Sequence, residues 1–156
     1  MGSISFSDPA YPSFNDACVA DTDWKTRCSL EFSVTDFPAW ARNHIQKANL
    51  VMFGSCCNYP GVLETVSVGA YPADFVISST DHDATVTDIG SVGFMSDARE
   101  EKRLDVTDLL KTLVQAGQNP GFQVRTDGPS VGIGAFDEWS TPPAYNRPYL
   151  EIEIAP

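Results

Sequence analysis

The clearest periodicity in the chain lies near its end. There Leu150, Ile152 and Ile154 alternate with Tyr149, Glu151 and Glu153, and period two predicts a strand buried on one face. The same alternation runs from Arg27 to Val34, where Cys28, Leu30, Phe32 and Val34 share a face. His44 to Phe53 has the length of a helix. Its apolar residues, however, fall on both faces of an alternating pattern: Ala48, Leu50 and Met52 against Asn49, Val51 and Phe53. That suits a strand held between two layers. Shorter strands are predicted around Ala17 to Ala20, from Val62 to Ala70, from Val92 to Met95 and over NPGFQVR (119–125). Residues 128–136 (GPSVGIGAF) read as a glycine-rich hairpin region. The polar stretch Ser78 to Asp88 reads as loop or edge strand, and the charged run DAREEKR as a separator.

One helix is predicted, Val106 to about Ala116. Val106, Leu109, Leu110, Leu113 and Val114 form its apolar stripe. Asp105 or Thr107 can cap it, Asp108 complements its N-terminal dipole, and Gly117 stops it. Many short strands with turn signals and one crossing helix indicate an all-β fold, an antiparallel β-sandwich of jelly-roll type. No internal repeat or second domain is visible. The N-terminal Met-Gly-Ser reads as a cloning remnant, and 4–156 as a single sandwich domain.

Composition narrows the function classes. The chain has 156 residues and a net charge of −11, which disfavours nucleic acid, since neutralising phosphates needs clustered Lys and Arg. No apolar run of membrane-spanning length exists, so a membrane partner is not expected. Four cysteines, Cys18, Cys28, Cys56 and Cys57, match no zinc spacing. Their even number points to disulfides and an oxidising compartment. A Cys18–Cys28 bridge is one expectation, and Cys56–Cys57 either form a vicinal bridge or bridge outward.

A set of motifs carries a resemblance. Arg27, Leu30, Phe32 and Val34 are followed by Ala48, Leu50 and Met52, then Leu104 to Leu110. Asn119, Gly121, Phe122, Val124 and Arg125 come next, then Glu138 and Arg147 to Ile152. In this order they resemble the DNRLRE, or disaggregatase-related, group of bacterial and archaeal extracellular domains, over roughly residues 27–156. The cysteines are not a feature of that group. The resemblance implies a jelly-roll sandwich, secreted or at the cell surface, within a larger multidomain protein. It further implies a carbohydrate-binding module whose partner is a polysaccharide or glycan.

Candidate site residues follow from side-chain chemistry. Sugar rings stack on aromatic faces, and Trp24, Trp40, Tyr59, Tyr71, Trp139 and Tyr145 all fall in predicted loops or at strand ends, where sandwich sites are built. Asp81 with Asp83, and Asp21 with Asp23, offer hard oxygen ligands for calcium. Their ordinary role is solvated loop charge, but binding modules of the resembled architecture commonly carry a structural calcium, so calcium is the expected cofactor. Glu138 and Arg147 are expected to pin the last strands together as a bidentate pair. His82, between Asp81 and Asp83, and His44, near Arg42, are the candidate bases for a small polysaccharide lyase or hydrolase. No nucleophile elbow, phosphate loop or metalloprotease helix accompanies them. The expectation is therefore a non-catalytic glycan-binding module, with a structural or adhesive surface domain as the alternative.

Overall fold

The computed structural model describes residues 2–5, 14–20, 26–33, 37–56, 63–76, 78–95, 100–126, 131–133 and 148–155. Among them are ten strands and two helices: β1 (Gly2–Ser5), β2 (Phe14–Ala20), β3 (Thr26–Phe32), β4 (Ile45–Cys56), β5 (Leu63–Ala73), α1 (Ser79–His82), β6 (Thr87–Met95), β7 (Glu100–Asp105), α2 (Thr107–Gln115), β8 (Asn119–Thr126), β9 (Val131–Ile133) and β10 (Tyr149–Ile154). A single 3-10 turn, Ala41–Asn43, precedes β4.

Four antiparallel pairs are nested in the chain: β5 with β6, β4 with β7, β3 with β8, and β1 with β10. A long hairpin rolled up on itself gives this nesting, with successive strands shared between two sheets. Sheet A has the order β1-β10-β4-β7 with β9 pairing the end of β4, and sheet B the order β2-β3-β8-β5-β6. That is the jelly-roll sandwich.

Alternation explains which residues meet between the sheets. In β10, Leu150, Ile152 and Ile154 are buried while the residues between them are half-buried. From sheet A they join Ala48, Leu50 and Met52 of β4. From sheet B come Leu30, Phe32, Val66, Val68, Phe94, Phe122 and Val124. Phe32 and Phe122 meet edge to face with centroids 6.0 Å apart, a favoured aromatic geometry.

Helix α2 closes the gap between the sheets at one end. Its Leu110 and Val114 face Phe32, Phe37, Leu150 and Ile152, leaving only about 10 Å³ among them. Neither Asp105 nor Thr107 is the N-cap: that position is Val106, which makes no side-chain cap bond, and just ahead of it Asp105 Oδ1 accepts from the Thr107 N–H (2.9 Å) and hydroxyl (2.6 Å). Those bonds hold the Asp105 carboxyl below its ordinary range. The same turn is tied to β4, with Val106 N donating to Ala48 O at 2.9 Å and Ala48 N to Thr107 Oγ1 at 2.9 Å. At the other end Gly117 takes φ +68°. Gly117 N donates to Val114 O and Gln118 N to Leu113 O, the paired bonds of a Schellman stop.

The structure corrects the expected elements at two places. The charged run does not merely separate elements, because from Glu100 to Arg103 it forms most of strand β7 at the edge of sheet A. There Leu104 packs against the core while Glu101, Arg103 and Asp105 face solvent, so charge alternates with burial as a protected edge requires. The stretch Ser78 to Asp88 contains a single helical turn, α1, and β6 then starts at Thr87.

The disulfide expectation is also overturned: among the described residues no cysteine is bridged. Cys18 and Cys28 stand directly opposite one another on β2 and β3. Cys56 ends β4 opposite Val131, and Cys57 lies outside the described residues. The sandwich therefore rests on its core. Replacing the fully buried Phe122 by Ala is expected to cost about 3–5 kcal/mol of unfolding free energy, measured by urea denaturation with an unchanged slope.

Candidate functional site

The face of sheet B turned away from sheet A carries the most unusual chemistry among the described residues. Because Leu30, Phe122 and Val68 face the core, their strand neighbours point the other way. Register then lines them up in rows across β3, β8 and β5: Glu31 with Gly121 and Tyr71, Ser29 with Gln123 and Gly69, and Arg27 with Arg125 and Ser67. A polar outer face is usually wet. Here Ser29, Glu31 and Gln123 are nonetheless 0–1% exposed.

The cover is the segment between β5 and β6. Gln123 Nε2 donates to the main-chain oxygen of Asp81 at 2.8 Å. Gly69 lets the returning chain come close, since a Cβ there would lie 2.3 Å from Val86 Cγ2. Gly121 makes room in the same way, as its Cβ would stand 2.7 Å from the Tyr71 ring. That ring crosses the glycine and reaches Glu31.

Tyr71 Oη donates to Glu31 Oε1 at 3.0 Å. Glu31 Oε2 is buried and has no hydrogen-bond partner among the described residues. Burial raises the Glu31 carboxyl above its ordinary 4.5, opposed by the Tyr71 bond and by the Phe75 backbone, and reinforced by the charges of Asp81 and Asp74. Burial likewise drives the Tyr71 hydroxyl far above its ordinary 10, with the Glu31 charge adding to it, so Tyr71 remains a donor at any physiological pH.

Two further carboxylates converge on Glu31. Asp74 follows β5 in a tight turn, where its Oδ1 accepts from Val76 N at 2.8 Å and Phe75 takes φ +67°. Asp81 is the third residue of α1, and its Oδ2 accepts from Ser78 N (2.6 Å) and Ser78 Oγ (3.0 Å) in a capping box. One oxygen from each of Glu31, Asp74 and Asp81 lies within 4.8 Å of the other two. None of the three forms a salt bridge with a described residue. Hard oxygen donors in such a group suit Ca²⁺ or Mg²⁺ rather than softer metals.

A second feature is a cleft of about 610 Å³ where the start of α2 meets β4 and β6. Gln46, Lys47, Asp105, Thr107, Asp108 and Lys111 line it, together with apolar Ile89, Val106 and Leu109. On the outer face of sheet A, Arg103 Nε and Nη2 both donate to Glu151 at 3.2 and 3.4 Å, and Arg103 also pairs with Glu101. The Arg103 bond, above all, holds the Glu151 carboxyl below its ordinary value.

No family model matches the chain, and no curated protein matches it.

The sequence-predicted residues distribute unevenly over this structure. Asp81 belongs to the carboxylate group, but its companions are Glu31 and Asp74. Asp83 ends α1 and pairs instead with Arg27 at 3.6 Å. Tyr71, expected at an exposed position, sits inside β5 and is 4% exposed, because its ring fills the space above Gly121. Trp40 is exposed, at 64%. Trp24, Tyr59, Trp139, Tyr145, Asp21, Asp23, Glu138 and Arg147 lie outside the described residues.

Burial of Glu31 has a consequence for stability. Its folded pKa is raised, so the folded state holds the proton more firmly than the unfolded chain. Stability from this group is fully present below its ordinary 4.5 and is lost as pH rises through the folded value. In chelator, Glu31→Gln is therefore expected to stabilise the protein at pH 7 by about 1–3 kcal/mol. It should also flatten the fall in stability between pH 4 and 7, read by chemical denaturation across that range. Tyr71→Phe, which strands the second carboxylate oxygen, should destabilise by a similar amount.

Proposed function

We propose that the chain is a non-catalytic carbohydrate-binding module. The observation that carries the reading is the cleft beside α2. Its lining combines Lys47 and Lys111 with Asp105 and Asp108 and with apolar Ile89, Val106 and Leu109. Glycans need such a lining, with donors and acceptors for hydroxyls around a surface that accepts C–H faces. Two ammonium groups balance two carboxylates, which favours a neutral sugar over a uronate on a chain of net charge −11. Exposed Trp40 supplies an aromatic face of the type that stacks on sugar rings. The DNRLRE resemblance rests on its motifs, and it supports a secreted or cell-surface module within a larger protein. Among the described residues no helix is long and apolar enough to cross a membrane.

A glycan array followed by calorimetric titration of the retained sugars tests this reading. Binding to a neutral oligosaccharide is expected, weakened at least tenfold by the double variant Asp108→Ala, Lys111→Ala with little change in Tm. Retention of no glycan, or binding unaltered by the double variant, would overturn it.

A further inference from the structure

We infer that Glu31, Asp74 and Asp81 form a calcium site that fastens the segment between β5 and β6 onto the outer face of sheet B. This does not rest on the glycan reading, since the cleft lies elsewhere and shares none of these residues.

Two independent observations lead to it. The first is convergence: β3, the turn after β5, and α1 each deliver one carboxylate oxygen to a space where all three separations are 4.8 Å or less. The second is the state of Glu31. Its side chain is 0% exposed and its Oε2 has no partner among the described residues. Both oxygens of a carboxylate share one carbon, so the unpartnered atom either enters the group itself or lies directly beside the oxygen that does. A buried acceptor of this kind is rare in folded proteins and calls for an unseen partner, water or an ion. Two neighbouring acidic groups make an anion or a lone acceptor unsuitable there, and a cation satisfies all three.

Each ligand is already oriented. Tyr71 holds Glu31 Oε1, Val76 N holds Asp74 Oδ1, and Ser78 holds Asp81 Oδ2. Each carboxylate is thus fixed in orientation by a bond to one of its oxygens, in the manner of outer-shell bonds that fix metal ligands. Burial grades from buried Glu31 through half-buried Asp81 to exposed Asp74, which gives the ion a floor and an open side where water completes the shell.

The spacing selects among cations. Two ligands of one ion can be no farther apart than twice the metal–oxygen distance. That limit is ~4.6–5.2 Å for Ca²⁺ and ~4.0–4.2 Å for Mg²⁺. The 4.8 Å bound on the three separations is met most readily by calcium, whose longer bonds and variable geometry need the least contraction of the group. Asp83 lies outside the group and serves as the internal control.

The test uses the whole chain after chelator treatment, with calcium alone as the probe. Calcium at about one hundred times its dissociation constant is expected to raise Tm by about 5–10 °C, and magnesium by less. Terbium bound at the site should luminesce on excitation of Tyr71, and calcium should quench that signal by displacement. Asp74→Asn, at an exposed position that leaves the core untouched, should weaken calcium binding at least tenfold, and Asp83→Asn should leave it unchanged. The inference fails if calcium up to about 10 mM, above the range of weak extracellular sites, shifts neither Tm nor terbium emission. It fails equally if Asp74→Asn binds as the parent does, or if Asp83→Asn is the variant that loses binding.

Discussion

Part of sheet B is buried on both faces, and much of the structure follows from that constraint. One face meets sheet A through Leu30, Phe32, Phe122 and Val124, as any sandwich requires. The other is roofed by the chain between β5 and β6. The roof is possible only because Gly69 and Gly121 carry no side chain where Val86 and the Tyr71 ring approach. Its cost falls on Ser29, Glu31 and Gln123, polar residues that alternate onto the outer face and are cut off from water. Gln123 is repaid by the Asp81 carbonyl, and Glu31 only in part by Tyr71. A roof that buries a carboxylate has a reason to carry a cation with it.

Sheet A follows the opposite pattern. On its outer face only the middle of β4 is covered, where Val51 and Asn49 are buried, and Arg103, Glu101 and Glu151 decorate β7 and β10 with an exposed ion-pair group. Such pairs contribute little to stability, but alternating charge along β7 guards an edge that would otherwise template pairing. The sandwich thus has a plain side and a roofed side, and the cleft at the start of α2 lies apart from both the roof and the ion pairs.

Much of the scaffold was legible because burial there follows a simple period. The Leu150, Ile152 and Ile154 rhythm, the stripe of α2 and the two-faced apolar pattern of β4 each appear where the sequence places them. β7 was hidden because Glu100, Glu101, Lys102 and Arg103 mask a strand whose one apolar anchor is Leu104. α1 left a signal in the Ser78 and Asp81 spacing of a capping box, but Asp81 and Asp83 also read as a ligand pair and drew attention away from it. The carboxylate group could not be seen at all. Glu31 sits at an ordinary outward position of an alternating strand, and only the roof makes it a buried acid beside two residues far along the chain. Tyr71 was placed at a strand end because the apolar alternation stops at Ala70, whereas β5 runs on to Ala73 and the Tyr71 ring lies over Gly121.

The site and the scaffold meet in one physical claim: the segment from Asp74 to Val86 is held on sheet B through a buried acidic group that binds calcium. Amide hydrogen exchange of the intact protein, with calcium and with chelator, addresses that claim most directly. Calcium should slow exchange selectively across residues 74–86 and the facing part of β3, leaving the amides of α2 unchanged. Exchange in 74–86 that is indifferent to calcium would contradict it.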